Sequence, residues 1–353
     1  MNAQDWPRAW AALTLTGRIR EQIEDFQVRE VLGFTLNGSG EHLWLEVEKR
    51  GLTTPEAQQR LARAFKLAPR DVHYAGLKDR QALTTQWFSL HVGSKRDSHD
   101  LPPLPPGLRV LQALKNSRKL QRGSHRGNHF VLTVRSLHGD TCHLAEHLDH
   151  IAREGVPNYF GVQRFGHDGG NLRALHAWWQ AGGAAPSSRT LRGLLLSTAR
   201  AFLFNAVLAE RVRRGTWNTL LDGDSLNLDG TSRQFAASAA TADELQERLA
   251  RLDIHPTGPL WGKGALAVSA EALILEQNIM NQHEWLCAGL LRADLEQARR
   301  PLRVAVRNLR HALEGEQLHL QFELSSGAYA TAVLREIVDT AAVATHCDEE
   351  GGE

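Results

Sequence analysis

Hydrophobic and polar residues alternate at several places along the chain, and this pattern predicts β-strands. In LWLEVE, residues 43–48, every second residue is Leu or Val, as in a strand with one buried face. The other segments that we predict as strands are residues 26–30, 87–92, 130–134 and 318–324. Each of them is short enough to belong to one sheet.

Helical periodicity separates these strands. Pro55 suits the first helical position, and Thr54 before it is predicted to be the N-cap of a helix that Pro69 ends. Residues 191–212 keep a helical period, and residues 270–299 predict a long helix with at least one break. This order of strands and helices indicates an α/β fold.

Length and composition bound the class of protein. The chain has 353 residues, of which 42% are hydrophobic, so it can bury a sizeable core and favours two domains. No run of about 18 apolar residues is present, so we expect no membrane span. The start of the chain lacks an apolar signal region. The cysteines Cys142, Cys287 and Cys347 are far apart and odd in number, which favours a reduced, cytoplasmic protein.

Charge is distributed unevenly although the formal net charge is only +1. Residues 101–139 contain neither Asp nor Glu. The basic residues of this span are Arg109, Lys115, Arg118, Lys119, Arg122, Arg126 and Arg135. Such a local positive field attracts phosphate, so the span is a candidate nucleic-acid surface. The alternative is a solvated basic surface without a partner.

The most specific chemistry lies in residues 74–92, YAGLKDRQALTTQWFSLHV. Gly76 allows a tight turn, and Lys78 and Asp79 follow it directly. The segment therefore predicts a loop that carries one carboxylate and is anchored to the strand after it, which is how a scaffold holds a reactive group. The alternative is an ordinary exposed turn with solvated charges.

This segment resembles the signature G-x-K-D-x-x-A-x-T-x-Q of the TruD family of tRNA pseudouridine synthases. The matching residues are Gly76, Lys78, Asp79, Ala82, Thr84 and Gln86. In that family the aspartate is the catalytic nucleophile, and the resemblance implies this role for Asp79. It also implies that Lys78 and Gln86 contact the substrate.

Three further segments carry the same resemblance. The stretch EDFQVRE at 24–30 is similar to the start of the family's catalytic domain, with Arg20 where a lysine is expected. Asn128 and Phe130 match an N-x-F motif, whose Phe packs on the target uracil and whose Asn orders the active site. Residues 158–166, NYFGVQRFG, match a third motif completely, and residues 327–336 resemble the closing element.

The resemblance implies a mixed, largely antiparallel sheet with helices in a pseudouridine synthase catalytic domain, residues 1–154 and 301–353. An α/β domain specific to the family, residues 155–300, is expected as an insertion. The two domains are expected to form a V-shaped molecule with an RNA-binding cleft. The RNA contacts expected from the basic span are Arg118, Lys119, Arg122 and Arg126.

The implied reaction converts uridine, at position 13 in the D-arm of tRNA, to pseudouridine. We expect tRNA as the partner of a monomer, without cofactor, metal or membrane. Two alternatives stay open: a non-catalytic RNA-binding module or RNA chaperone, and a retaining glycosidase-like hydrolase with Glu24 or Asp25 as its second carboxylate. His143, His147 and His150 share one helical face, but nothing else with ligand spacing supports a zinc site.

Overall fold

The structure is a computed structural model that describes residues 6–10, 14–93, 97–180, 185–237 and 242–340. Its strands are β1 (Thr16–Ile19), β2 (Phe26–Val31), β3 (His42–Arg50), β4 (Val72–Tyr74), β5 (Leu83–His91), β6 (Leu108–Asn116), β7 (Gly127–His138), β8 (Val156–Pro157), β9 (Ser225–Leu228), β10 (Gln234–Ala236), β11 (Ile254–Leu260), β12 (Ala298–Pro301), β13 (Arg303–Val304), β14 (Arg307–Glu314) and β15 (Gln317–Ser325). Its helices are α1 (Thr54–Ala64), α2 (Leu144–Glu154), α3 (Gly170–Trp179), α4 (Arg189–Arg213), α5 (Ala242–Ala250), α6 (Ala270–Gln282), α7 (Glu284–Arg292) and α8 (Ala330–Ile337).

The described chain divides into two compact units. The sheet unit comprises residues 14–141, 307–327 and the described chain from 338 onward. The helix-rich unit comprises the described residues before 14, together with 142–306 and 328–337. Both units combine strands and helices, as the predicted α/β class requires.

One large sheet forms the centre of the sheet unit. Its strand order is β14-β15-β7-β2-β5-β3-β6, with β1 beside β7 and β4 beside β5. Only β2 and β5 pair in parallel among the described strands of this sheet. The predicted mixed, largely antiparallel sheet is therefore confirmed. The loop that carries Asp79 leaves β4 and enters β5, so it lies beside the parallel pair.

Helix α1 covers one face of this sheet. Its residues Ala57 and Leu61 are fully buried against Leu45 of β3 and Phe88 of β5. Burying a side chain of this size contributes about 1.5–3 kcal/mol. The helix thereby fixes the backbone just before the Asp79 loop to the core.

The N-cap of α1 is Thr53 and not Thr54, so that prediction was wrong. Thr53 and Glu56 form a reciprocal capping box, in which the Glu56 carboxylate accepts the Thr53 amide at 2.7 Å. Two adjacent threonines precede Pro55, and the chain uses the one whose partner stands three residues later. Thr54 is fully buried instead.

The helix-rich unit is built around α4. One side of α4 packs on α3, α6 and α7, where Leu203, Leu286 and Leu290 are fully buried. The helix-rich unit also contains a four-stranded sheet with the strand order β10-β9-β11-β12. The long helix predicted over 270–299 is two helices, α6 and α7, and the chain has become strand β12 by Ala298.

Helix α4 bears on the prediction that the chain has no membrane span. Its 25 residues are long and apolar enough to cross a bilayer by length and composition, with a mean hydropathy of 1.3 over its most apolar window. That window is 61% buried inside the unit, and a core helix of a globular protein meets the same criterion. Its apolar residues therefore already have protein neighbours.

The compact units differ from the predicted domains in four segments. The described residues before 14, together with residues 142–154, 301–306 and 328–337, lie in the helix-rich unit, although they were assigned to the catalytic domain. Helices α2 and α8 contact each other in that unit. The domain boundaries themselves stay a prediction.

Asp224, in the turn before β9, forms a buried ion pair. Its two carboxylate oxygens accept from the Arg211 guanidinium at 2.9 and 3.0 Å. The side chains of Arg211 and Asp224 are 3% and 1% exposed. Arg211 also donates to the backbone oxygens of Thr216 and Thr219, so every direction of the guanidinium is used.

Asp224→Asn should lower the free energy of unfolding by about 3–5 kcal/mol, because it leaves the Arg211 charge buried without its partner. Asp222→Asn, on the exposed side of the same turn, is the matched control and should cost less than about 0.5 kcal/mol. Urea unfolding of both variants measures the difference. Equal stabilities would contradict a structural role for the pair.

Candidate active site

A buried lysine lies beneath the backbone of Asp79. Lys49 of β3 is fully buried, and its Nζ donates to the carbonyl oxygens of Leu52 at 2.6 Å and Asp79 at 2.9 Å. A third carbonyl oxygen, that of Lys78, lies 3.5 Å from the same nitrogen. Burial lowers the pKa of Lys49 to about 8. One ammonium group thus joins the loop to the turn before α1.

Lys78 points into the protein and not toward solvent. Its Nζ donates to Glu30 Oε1 at 2.8 Å, and the two side chains are 7% and 0% exposed. The other oxygen of Glu30 accepts the backbone amide of Trp87 at 2.9 Å. Glu30 therefore connects the loop to β5 from inside the sheet. In this arrangement the Lys78 ammonium holds the loop in position, and its role as an RNA contact stays a prediction.

Gln86 and Thr54 form a second connection. The Thr54 hydroxyl accepts the amide of Lys78 at 2.9 Å and donates to Gln86 Oε1 at 2.9 Å. Gln86 Nε2 in turn donates to the carbonyl of Gly76 at 3.3 Å. Gln86 is fully buried, and its side-chain amide holds the loop.

These internal contacts leave the carboxylate of Asp79 at the surface. Its side chain is 53% exposed and accepts a hydrogen bond from Arg20 Nη2 at 2.7 Å. Arg20 has a φ of +63°, a conformation that a residue other than glycine adopts at a cost. Its guanidinium carbon lies 4.2 Å from the centre of the Phe26 ring. A lysine in its place would keep the charge and lose the planar stacking.

A row of aromatic rings continues from Arg20 across three strands. The rings of Phe26 and Phe130 meet edge to face at 6.3 Å, and Phe130 stacks on Phe322 at 5.4 Å. Phe130 is 6% exposed. Asp79, Arg20 and Phe130, which are far apart in the sequence, are thus brought into one chain of contacts within the sheet unit.

Several polar atoms near this row are buried without a hydrogen-bond partner in the described residues. They are Arg20 Nε, Thr84 Oγ1, His125 Nδ1 and Asn128 Oδ1. Asn128 stands opposite Glu30 in the β2–β7 ladder. Buried polar groups are usually paired, so each unpaired one calls for an explanation, of which a ligand contact is one. These atoms are therefore candidate contacts for a bound base.

Carboxylates from other segments neutralise two of the charges in the basic span, residues 101–139. Arg109 pairs with Glu48 of β3 at 3.0 Å, and Arg135 pairs with Asp25, which directly precedes β2, at 2.9 Å. The four residues predicted to bind RNA, Arg118, Lys119, Arg122 and Arg126, are exposed and form no ion pair within the described part of the chain.

Comparison with known proteins decides the family. The family model described as tRNA pseudouridine synthase D (TruD) matches residues 9–178 and 176–337. The chain belongs to the TruD family. A protein named tRNA pseudouridine synthase D from Pseudomonas putida (strain W619) is 47% identical over 94% of each chain. One from Pseudomonas aeruginosa is 45% identical over 94% of this chain and 93% of its own length.

A solved structure agrees in fold. The crystal structure of a Methanosarcina mazei protein assigned to TruD superposes with a TM-score of 0.72. The match covers 94% of this chain and 95% of that one, at 20% sequence identity. The TruD fold thus extends over both units of the chain.

The third TruD motif lies in the helix-rich unit, where it meets the closing element. Arg300 donates to Asn158 Oδ1 at 2.6 Å, and its guanidinium lies 4.4 Å from the centre of the Phe160 ring. Arg164 donates to the Tyr329 hydroxyl at 3.3 Å. These contacts explain why glycines, aromatics and hydrogen-bonding residues alternate there.

The two carboxylates of the glycosidase alternative, and one histidine of the zinc site considered above, make structural contacts. A backbone hydrogen bond and then Arg50 lower the pKa of Glu24, and Asp25 is buried against Arg135, so neither fits a general acid of a glycosidase. His147 Nε2 lies within hydrogen-bond distance of the backbone oxygen of Glu336, at 2.6 Å. Among the described residues, no cluster of three or more His, Cys, Asp or Glu could hold a metal ion.

Sequence patterns missed Lys49, Glu30 and Thr54, which hold the TruD signature loop from inside. A charged residue at every second position of a strand is usually interpreted as solvent-facing. The available signal was that Lys49 falls in the same alternation as the apolar residues Leu43, Leu45 and Val47, and so belongs to the buried face.

Lys49→Met should loosen the loop, because the carbonyls of Leu52 and Asp79 lose their donor. The loss of such buried hydrogen bonds is expected to cost about 1–3 kcal/mol of stability. The effect should also depend on pH. An unfolded lysine titrates near about 10.4, whereas burial lowers the pKa of Lys49 to about 8, so the unfolded chain binds more protons between these values.

Stability due to Lys49 therefore rises with pH through this window and falls as the pH drops through 8. Urea unfolding at several pH values should show that the difference in free energy of unfolding between the native protein and Lys49→Met increases above pH 8. The exposed Lys66, changed to Met, is the control and should show a constant gap. A gap that stays constant or narrows for Lys49→Met would refute the buried charge.

Proposed function

We propose that this TruD chain is a tRNA pseudouridine synthase, an isomerase that converts U13 in the D-arm to pseudouridine with Asp79 as its nucleophile. The observation that carries the proposal is the contrast within the signature loop. Lys78 and Gln86 face inward and fix the loop, whereas the Asp79 carboxylate is 53% exposed beside Arg20. A rigid backbone with one accessible carboxylate suits a reaction whose demand is positioning.

The reaction breaks the N1–C1′ bond of uridine, turns the uracil and joins its C5 to C1′. The C5 proton is lost to solvent and N1 gains one, so the product is an isomer of the substrate. Asp79 assists the cleavage, at C1′ or through ribose chemistry. Arg20, whose Nη2 is 2.7 Å from Asp79 Oδ2, orients the carboxylate before substrate arrives.

Phe130 and Asn128 are assigned to the base. A target uracil has to leave the helical stack to reach the enzyme, and an aromatic ring replaces part of the stacking that it loses. Phe130 is linked to Asp79 through Phe26 and Arg20. Asn128 Oδ1 is buried without a partner among the described residues and can accept a hydrogen bond from a uracil N–H.

The test is to incubate the protein with unmodified tRNA and to map pseudouridine at every position. The proposal predicts a new pseudouridine at position 13. Modification at another uridine would refute the assigned target, and tRNA binding without modification would favour the RNA-binding or chaperone alternative. That alternative does not need Asp79, because a carboxylate repels phosphate.

Asp79→Asn should reduce conversion to the background rate and leave tRNA binding unchanged or slightly tighter. Asn has the same size and can still accept from Arg20, so the loop keeps its shape while the nucleophile is lost. Asp97→Asn, the same substitution on an exposed turn, should convert tRNA normally. Single-turnover rates measure this, and a normal rate for Asp79→Asn would remove the residue from the chemistry.

Phe130→Leu should weaken transition-state binding by about 1–3 kcal/mol, the usual worth of stacking an aromatic ring on a base. Phe322→Leu is the matched control, because Phe322 is the second ring of the stacked pair that it forms with Phe130 and is fully buried. Melting and activity per folded molecule are compared. Equal activities for the two variants, with equal losses of stability, would show that Phe130 is only a core residue.

A further inference from the structure

A basic cavity lies at strand β4, and no sequence motif pointed to it. Its volume is about 470 Å³, and residues 58, 70, 72–74 and 119–122 line it. Three of its walls carry fixed positive charges, those of Arg70, Lys119 and Arg122. No Asp or Glu is among the described residues that line it. We call this cavity the β4 pocket.

The three charges are uncompensated. Arg70, Lys119 and Arg122 form no ion pair within the described chain, in contrast to Arg109, which Glu48 neutralises. His73 also lines the pocket. Burial first, and then the charge of Lys119, lower its pKa below the ordinary value, while the neighbouring carboxylate of Asp71 acts in the opposite direction. A concave surface with one sign of charge concentrates anions.

Arg122 is held in a fixed orientation. Its guanidinium carbon lies 3.6 Å from the centre of the Tyr74 ring, so the planar group rests on the aromatic face. The stacked face is covered, which leaves the N–H groups at the edge of the guanidinium for a ligand. This planar fork matches the oxygen atoms of a phosphate, and a side chain already held in place loses little entropy on binding.

The pocket is joined to the signature loop by the backbone. Tyr74, its aromatic wall, ends β4 five residues before Asp79. Gly123, which directly follows Arg122, donates its amide to the carbonyl of Ala75 at 2.9 Å. An anion bound in the β4 pocket is therefore held by the same rigid part of the sheet unit that carries Asp79.

We propose that the β4 pocket binds a backbone phosphate of the substrate RNA, an inference that rests on the proposed function. The shared chemistry is a phosphate group, which free phosphate also offers. RNA is favoured because Lys119 and Arg122 belong to an exposed basic segment that continues through Arg126. A phosphate fixed here gives the RNA strand one defined anchor relative to Asp79.

The test uses tRNA binding measured over a range of salt concentrations. The double variant Arg70→Gln and Arg122→Gln should lower the slope of log affinity against log salt by about one, the amount expected for one lost phosphate contact. Affinity at physiological salt should fall at least tenfold. Arg310→Gln, an exposed charge on the edge strand β14, is the control and should change neither quantity.

Arg70 makes the test specific, because it lies outside the acid-free basic span. If Arg70→Gln alone leaves binding unchanged while Arg122→Gln weakens it, a diffuse basic surface binds the RNA and the pocket proposal is wrong. Melting temperatures of all variants are recorded. A second measurement uses tRNAs that each carry one neutral methylphosphonate linkage. One such linkage should weaken binding to the native protein, and the same linkage should not weaken binding to the double variant.

Inorganic phosphate distinguishes the two sources of the ligand. Millimolar inorganic phosphate that stabilises the native protein but not the double variant, with tRNA binding equal in both, would assign the pocket to free phosphate and overturn the proposal. The result is independent of catalysis, because binding is measured without conversion. A protein that binds tRNA through the pocket and modifies no uridine would refute the proposed function alone.

Discussion

The buried ammonium group of Lys49 is the constraint on which the candidate site depends. A charge removed from water is costly unless it is surrounded by hydrogen-bond acceptors, and here the acceptors are backbone carbonyls of the turn before α1 and of the Asp79 loop. Because no carboxylate hydrogen-bonds to this ammonium among the described residues, the carbonyls have to stay in place to satisfy it. A loop without regular secondary structure thereby acquires the rigidity of the strands around it.

The other internal contacts act in the same direction. Glu30 connects the ammonium of Lys78 to the amide of Trp87, and Thr54 connects the amide of Lys78 to Gln86. These contacts direct two side chains of the TruD signature, those of Lys78 and Gln86, into the protein. The side chain of Asp79 faces outward. Arg20 then meets Asp79 from a strained backbone and stacks on Phe26, which places the carboxylate at one end of an aromatic row.

Local patterns predicted the elements well and the contacts between them poorly. The alternation at 43–48 predicts β3, and the motif at 76–86 predicts a loop with an anchored carboxylate, since both signals lie within a few residues. The direction of Lys78 could not be predicted, because it depends on Glu30, a residue of another strand. The pairing of Arg109 in the acid-free span could not be predicted for the same reason, because Glu48 of β3 reaches it across a ladder that no local pattern encodes.

Hydrogen exchange at the amide of Lys78 tests the rigid loop most directly. That amide lies outside any helix or strand, yet it donates to the buried hydroxyl of Thr54 at 2.9 Å. We predict that it exchanges as slowly as the amide of Trp87 within β5. Exchange as fast as that of the exposed Gln81, in the same loop, would contradict the account, because Asp79 would then be carried by a mobile turn.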